Sequence, residues 1–257
     1  MMARSLSLIL LSSVAILVYV PSAYASESRL ALDGIGTNTT CQEVGCLTQS
    51  LTTTRGNDLI VLVLECGLLS CDSTITPIKD SSGLAFAPRL FYAPNDELRE
   101  YYSTTTSTLK ADNITVVFSP PNARGMQVLA IHGANIREVF DPNPSIPATV
   151  PCPNYLPPCS ASIRTSTLDF VVALIAINDG GDCGGLHTGP GVPGFTRATQ
   201  SGNGNFEVDY TITTQSQSNV VFTCGCFYST GAYPVLYCSS PAAIVIDAIS
   251  LRGASSK

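Results

Sequence analysis

The chain has 257 residues with 13 Lys or Arg against 19 Asp or Glu, a formal net charge of −6, ten cysteines and no tryptophan. Neutralising nucleic-acid phosphates needs clustered Lys and Arg, and no such cluster occurs, so nucleic acid is excluded as a partner. An even set of cysteines in a chain with an export signal points to a disulfide framework rather than to thiol chemistry.

The first element is that signal. Arg4 is followed by an uncharged apolar run from Leu6 to Val20, then Pro21 and the small-residue pattern Ala23-Tyr24-Ala25. This is the layout of a secretory signal spanning 1–25 and cleaved after Ala25. The run is shorter than the roughly 20 residues that cross a bilayer. The mature chain is therefore expected outside the membrane, secreted or at the cell surface, with no membrane span after cleavage.

"SESRLALDGIGTNTT" (26–40) follows as an extended arm. Such an arm can complete its own sheet or add as a strand to a neighbouring subunit. Beyond it the segments "NDLIVLVLE" (57–65), "SSGLAFAPRLF" (81–91), "LREYYSTTT" (98–106), "ITVVFS" (114–119) and "MQVLAIHGAN" (126–135) return in the same order as "LDFVVALIA" (168–176), "PGFTRATQ" (193–200), "FEVDYTITT" (206–214), "NVVFT" (219–223) and "IDAISLRGAS" (246–255). Asp58 matches Asp169, Tyr102 matches Tyr210 and Gly133 matches Gly253, the pattern of a diverged internal duplication. Short runs of Val, Ile, Thr, Tyr and Phe broken by Gly, Pro, Asn, Asp and Ser predict an all-β fold: an antiparallel β-sandwich, jelly-roll or immunoglobulin-like, built from two repeats and stapled by disulfides. The first repeat is placed at 26–140 and the second at 161–257, as two domains or one. Between them "DPNPSIPATVPCPNYLPPCS" (141–160) carries seven prolines and is expected as an extended connector, not a strand. In "FEVDYTITT" the alternation predicts Phe206, Val208 and Tyr210 inside, with Glu207 and Asp209 in solvent.

The cysteines pair by spacing. Cys41 with Cys46, Cys66 with Cys71 and Cys152 with Cys159 would each close a short loop. In "FTCGCFYSTGAYPVLYC" a hairpin turning near Ala232 sets Cys226 opposite Cys238 and Phe227 opposite Tyr237, which leaves Cys224 for Cys183. A zinc site from the C-x-C, Cys183 and His187 lacks the usual knuckle spacing. The acidic loops around Asp33 and around Asp179 and Asp182 are weak calcium candidates, and turn formation explains the same residues. No other metal or cofactor is expected. Asn38 and Asn113 head N-glycosylation sequons.

Catalytic arrangements are sparse. His132 aligns with Arg252 in the second repeat and reads as a solvated strand end; no catalytic residue is assigned. "FEVDY" resembles, over three residues, the E-x-D-x-x-E strand of laminarinase-like β-sandwich glycosidases, but Ile212 stands where the last Glu belongs. The twofold pattern as a whole resembles tandem β-sandwich repeats in uncharacterised secreted proteins of archaea and bacteria, which implies an extracellular sandwich and carries no catalytic residue across.

The expectation is a non-enzymatic structural or adhesive protein of the cell surface, self-assembling through edge strands or contacting other surface proteins. The alternative is a carbohydrate-binding module in which Tyr92, Tyr101, Tyr102, Tyr228 and Tyr233 stack on surface glycans. A glycosidase comes third.

Overall fold

A computed structural model describes residues 29–41, 45–66, 78–93, 97–118, 123–152, 158–177, 183, 194–200, 206–228, 236–238 and 241–251. Among them are 17 strands and no helix, as the strand-and-turn composition predicts, and every strand pairing is antiparallel. The signal segment, Cys71, Asp179, Asp182, His187, Tyr233 and Gly253 lie outside the described residues.

Two strands organise the rest: β4 (Asp58–Cys66) and β11 (Asp169–Ile177), buried at every position. Successive side chains of a strand point to opposite faces. Leu59, Val61 and Val63 therefore enter one core while Ile60, Leu62 and Leu64 enter another. A strand buried on both faces has no polar face to alternate with, which is why these runs are continuously apolar.

Around β4 lie β8 (Ala123–His132) and β6 (Glu97–Thr105), then β1 (Ala31–Ile35) and β5 (Ala87–Tyr92), in the order β1-β8-β4-β6-β5. Around β11 lie β17 (Pro241–Ser250) and β13 (Phe206–Ile212), then β9 (Ala148–Pro151) and β12 (Thr196–Gln200), in the order β9-β17-β11-β13-β12. The two orders are the same when read in chain sequence within each half. One core joins these sheets: Leu59, Val61, Leu129 and Ile131 from one side meet Phe170, Val172, Val208 and Val245 from the other. Gly125 in β8 makes room for the partner sheet, since a Cβ there would stand 2.5 Å from the Phe206 ring.

The outer faces are covered too. β2 (Thr37–Thr39), β3 (Cys46–Leu51) and β7 (Asp112–Val117) form a three-stranded sheet whose Leu51, Ile114 and Val116 pack on Ile60 and Leu62. β10 (Cys159–Ile163) and β14 (Val220–Cys224) pair, and Ala161, Ile163 and Phe222 pack on Val171, Ala173 and Ile246. Each fully buried apolar side chain contributes about 1.5–3 kcal/mol against the entropy of ordering the chain.

Registers match between the halves. Val61 stands opposite Tyr102 and Val172 opposite Tyr210, each three residues after the aspartate that opens the central strand. β5 and β12 carry their register shift at the same place, between Pro88 and Leu90 and between Arg197 and Thr199. The hairpin of β15 (Cys226–Tyr228) and β16 (Leu236–Cys238) sets Cys226 opposite Cys238 and Phe227 opposite Tyr237, as spacing predicts.

Three expectations are corrected, and of the two courses open to the N-terminal arm one is taken. The proline-rich connector holds a strand, β9, whose Pro151 is tolerated because β9 is at a sheet edge. Residues 31–35 complete their own sheet as β1, with Leu30 buried in the central core, because that core offers the arm a larger apolar contact than solvent does. Asp58 faces His132 while Asp169 faces Ser250, so the last strand pairs two residues away from the His132–Arg252 match. A shift of two leaves every side chain on its face, whereas the shared Gly-Ala lettering does not govern packing. Glu207 and Asp209 are fully buried, not solvated; Cys183, bonded to Cys224, sits against that face of β13 and donates its amide to Glu207.

Candidate functional site

The residues singled out by sequence fall into three groups. The cysteines are staples: Cys41 is bonded to Cys46, Cys152 to Cys159 and Cys183 to Cys224. Cys66 is disulfide-bonded as well. The first two bridges close loops that lead directly into β3 and β10, the covering strands of the two halves.

The aromatic candidates are mostly packed. Tyr101 and Tyr102 point to opposite faces of β6, Tyr101 against the outer core and Tyr102 against the central one, where its ring meets Phe140 edge-on at 5.2 Å. Tyr92 also packs on the central core, and its phenol is pushed up by burial, with Thr149 as a hydrogen-bond partner opposing the shift. The side chain of Tyr228 lies outside the described atoms. The exposed ring is Phe91 of β5, 61 % accessible, with the Arg99 guanidinium 4.9 Å from its centroid. Stacking of this kind is worth about 0.5–1 kcal/mol at an exposed site. An open groove of about 460 Å³ is lined by polar side chains, among them Asn143, Ser145, Ser162, Arg164 and Asn219.

The sequons share the β2–β3–β7 sheet. Asn113 is exposed on β7; Asn38 is exposed on β2, and its Oδ1 accepts a hydrogen bond from Gln49 at 2.9 Å. Asp33 is occupied by protein donors: Oδ2 accepts from Thr54 N at 2.8 Å and Arg55 N at 2.9 Å, and Oδ1 from the Thr54 hydroxyl. Burial raises its carboxyl, but these bonds outweigh it and hold the group below its ordinary range.

Three buried polar clusters were not legible as sites. Between the two five-stranded sheets, Arg89 of β5 donates through Nε to Asp247 Oδ2 at 2.7 Å and through Nη2 to Asp247 Oδ1 at 3.0 Å. Its guanidinium also lies 3.8 Å from the Phe140 centroid. Glu100 of β6 is fully buried beside this pair; burial, then the Asp247 charge, push its carboxyl well above the ordinary range, with Arg89 opposing. The bidentate geometry makes the pair strong, and removing one partner of such a buried pair costs about 3–5 kcal/mol.

On the far face of β13, Glu207 Oε2 accepts from Cys183 N at 3.1 Å and Oε1 lies 3.6 Å from Arg197 Nε. Burial and the neighbouring Asp209 push Glu207 up to about 8, and burial raises Asp209 too. Neither oxygen of Asp209 accepts a hydrogen bond from the described residues. A proton on Glu207 supplies a donor for it, so the pair holds one charge, not two.

The third arrangement occurs twice. Asp58 Oδ1 is 2.8 Å from His132 Nδ1, which corrects the solvated reading of that histidine. Burial raises Asp58, His132 opposes the shift and the Asp33 charge adds to it. In the second half Asp169 Oδ1 accepts from the Thr167 hydroxyl at 2.7 Å, and burial together with Asp141 pushes it up to about 7. The sequence signal for the Asp247 cluster was a lone acid inside an apolar run, "AAIVIDAIS".

Chemically, burial favours the protonated form of Glu100, Asp169 and Glu207. Compared with known proteins, the chain matches no protein family, no curated protein and no solved structure.

Proposed function

We propose that the chain is an extracellular structural or adhesive protein, made of two diverged copies of a β-sandwich and exported by its N-terminal signal. The observation that carries this reading is the layering. Four sheets bury both faces of β4 and β11, disulfides pin the entries to β3 and β10, and the polar groups inside are spent on holding layers together. The equal strand orders and registers of the halves support the duplication.

Two of the sheet edges, β5 and β12, are blunted against strand addition. β5 bears Pro88, a register shift and the inward-pointing Arg89, and β12 a register shift and Arg197; inward charges, bulges and prolines all discourage edge pairing. The contact we assign to self-association is therefore a side-chain one, centred on Phe91 and Arg99. Sedimentation velocity and electron microscopy of the mature protein test this: concentration-dependent oligomers that Phe91→Ser abolishes support it, and a strict monomer overturns it.

The polar groove favours a second reading, carbohydrate binding, because amides, hydroxyls and one guanidinium at Arg164 suit sugar hydroxyls. A glycan array with Arg164→Ala as control decides it.

A further inference from the structure

The joint between the two five-stranded sheets is held at its polar point by three ionisable groups. Arg89 comes from one sheet, Asp247 from the other, and Glu100 stands on the strand next to Arg89. We propose that a proton on Glu100 closes this joint, so that the two halves of the protein are tightly coupled in acid and loosen as the pH rises.

The geometry fixes the charge count. Asp247 uses Oδ2 for Arg89 Nε and Oδ1 for Arg89 Nη2 and for the amide of Ala248 at 2.8 Å. The one cation is therefore committed. Glu100 accepts no hydrogen bond at either oxygen from the described residues and is 0 % exposed, which neither a water-solvated nor a salt-bridged carboxylate would tolerate. Protonated, the cluster carries one positive and one negative charge; ionised, it carries a second negative charge away from solvent.

Among the described residues, Arg89 is the cation that acts on Glu100. β4 presents Val63 directly opposite Glu100, with Glu65 two residues along the same face. β11 contributes Phe170, Val172 and Leu174, and β17 contributes Val245 and Ile249 beside Asp247. Tyr102, two residues along β6, Tyr92 of β5 and Tyr210 of β13 pack on the same core. Burial and the Asp247 charge both disfavour the second anion, in line with the raised carboxyl of Glu100.

The test uses the full mature chain with its disulfides intact. Thermal unfolding is followed from pH 4 to pH 9 for the wild type and for Glu100→Gln, whose amide mimics the protonated acid. The expected result is coincident melting at pH 4, and at the alkaline end a variant that melts about 3–8 °C above the wild type. Parallel curves through the whole range overturn the proposal. Side-chain carboxyl NMR of the wild type gives an independent reading should the variant fold poorly. A Glu100 resonance still protonated at pH 6 supports the latch, and one that titrates near pH 4 overturns it.

Discussion

Asp33 and Asp141 perform one task in the two halves. Through Oδ2, Asp33 accepts the consecutive amides of Thr54 and Arg55, and Asp141 those of Ser166 and Thr167, in the turns that lead into β4 and β11. Beside each turn the hydroxyl of Thr53 or Thr165 donates to the carbonyl two residues on, and accepts the amide of Leu109 or Gln217. Asp33 stands next to Leu32 opposite Ile131, and Asp141 next to Phe140 opposite Ile249.

From this equivalence, Asp141→Ala should cost about 2–3 kcal/mol and the more exposed Asp33→Ala about 1 kcal/mol, because each strands two backbone donors. The sites are far apart and share no partner, so the double mutant should lose the sum. Denaturant titration measures all three; a neutral Asp141→Ala would contradict the capping role.

How far this was visible beforehand differs by residue. The central strands and the hairpin register at Cys226 followed from composition and spacing, because period-two pattern and loop length constrain them directly, and the Cys183–Cys224 bridge was what the other pairings left over. The Asp33–Asp141 equivalence was missed, since the prolines around Asp141 disguise β9 and the connector as linker. Glu207 and Asp209 were misplaced because alternation tells which face a residue is on, not what covers it; here Cys183, bonded to Cys224 41 residues away, lies against that face. Arg89 and Glu100 come from neighbouring strands of one sheet and Asp247 from the other sheet, and their meeting depends on how the two sheets stack.

Stability should fall as pH rises. Asp169 and Glu207 have folded values raised above their unfolded ones, to about 7 and about 8. Their contribution is complete below about pH 4 and is lost as pH rises through those folded values, since the unfolded chain releases protons that the folded chain retains. Glu207→Gln should therefore match the wild type near pH 4 and exceed it at pH 9 by about 1–3 kcal/mol. Unfolding monitored across that range should show a negative slope, flattened in the variant; stability that rises from pH 4 to pH 8 would refute the burial argument.

Reduction should separate the bridges by loop size. Chain entropy assigns about 4 kcal/mol to the Cys183–Cys224 link and about 2 kcal/mol to Cys152–Cys159, whose partners are 41 and 7 residues apart. Paired Cys→Ser variants compared by denaturant midpoint should keep that order. Loss of the first link should also expose Glu207 and lower its titration toward the ordinary carboxylate range, which carboxyl NMR reads directly.

Asn113 should carry glycan more completely than Asn38, whose amide oxygen is held by Gln49. Intact mass and glycopeptide mapping of protein made in a glycosylating secretory host check this; occupancy confined to Asn38 would reverse the assignment.

The structural role is tested most directly by cross-linking on intact cells that make the protein, followed by mass spectrometry of the recovered species. The expected product is a multimer, retained at the cell surface, with all cysteines oxidised and with intermolecular cross-links clustered on one face rather than scattered. Recovery solely as an uncross-linked monomer in the medium would contradict a structural or adhesive role.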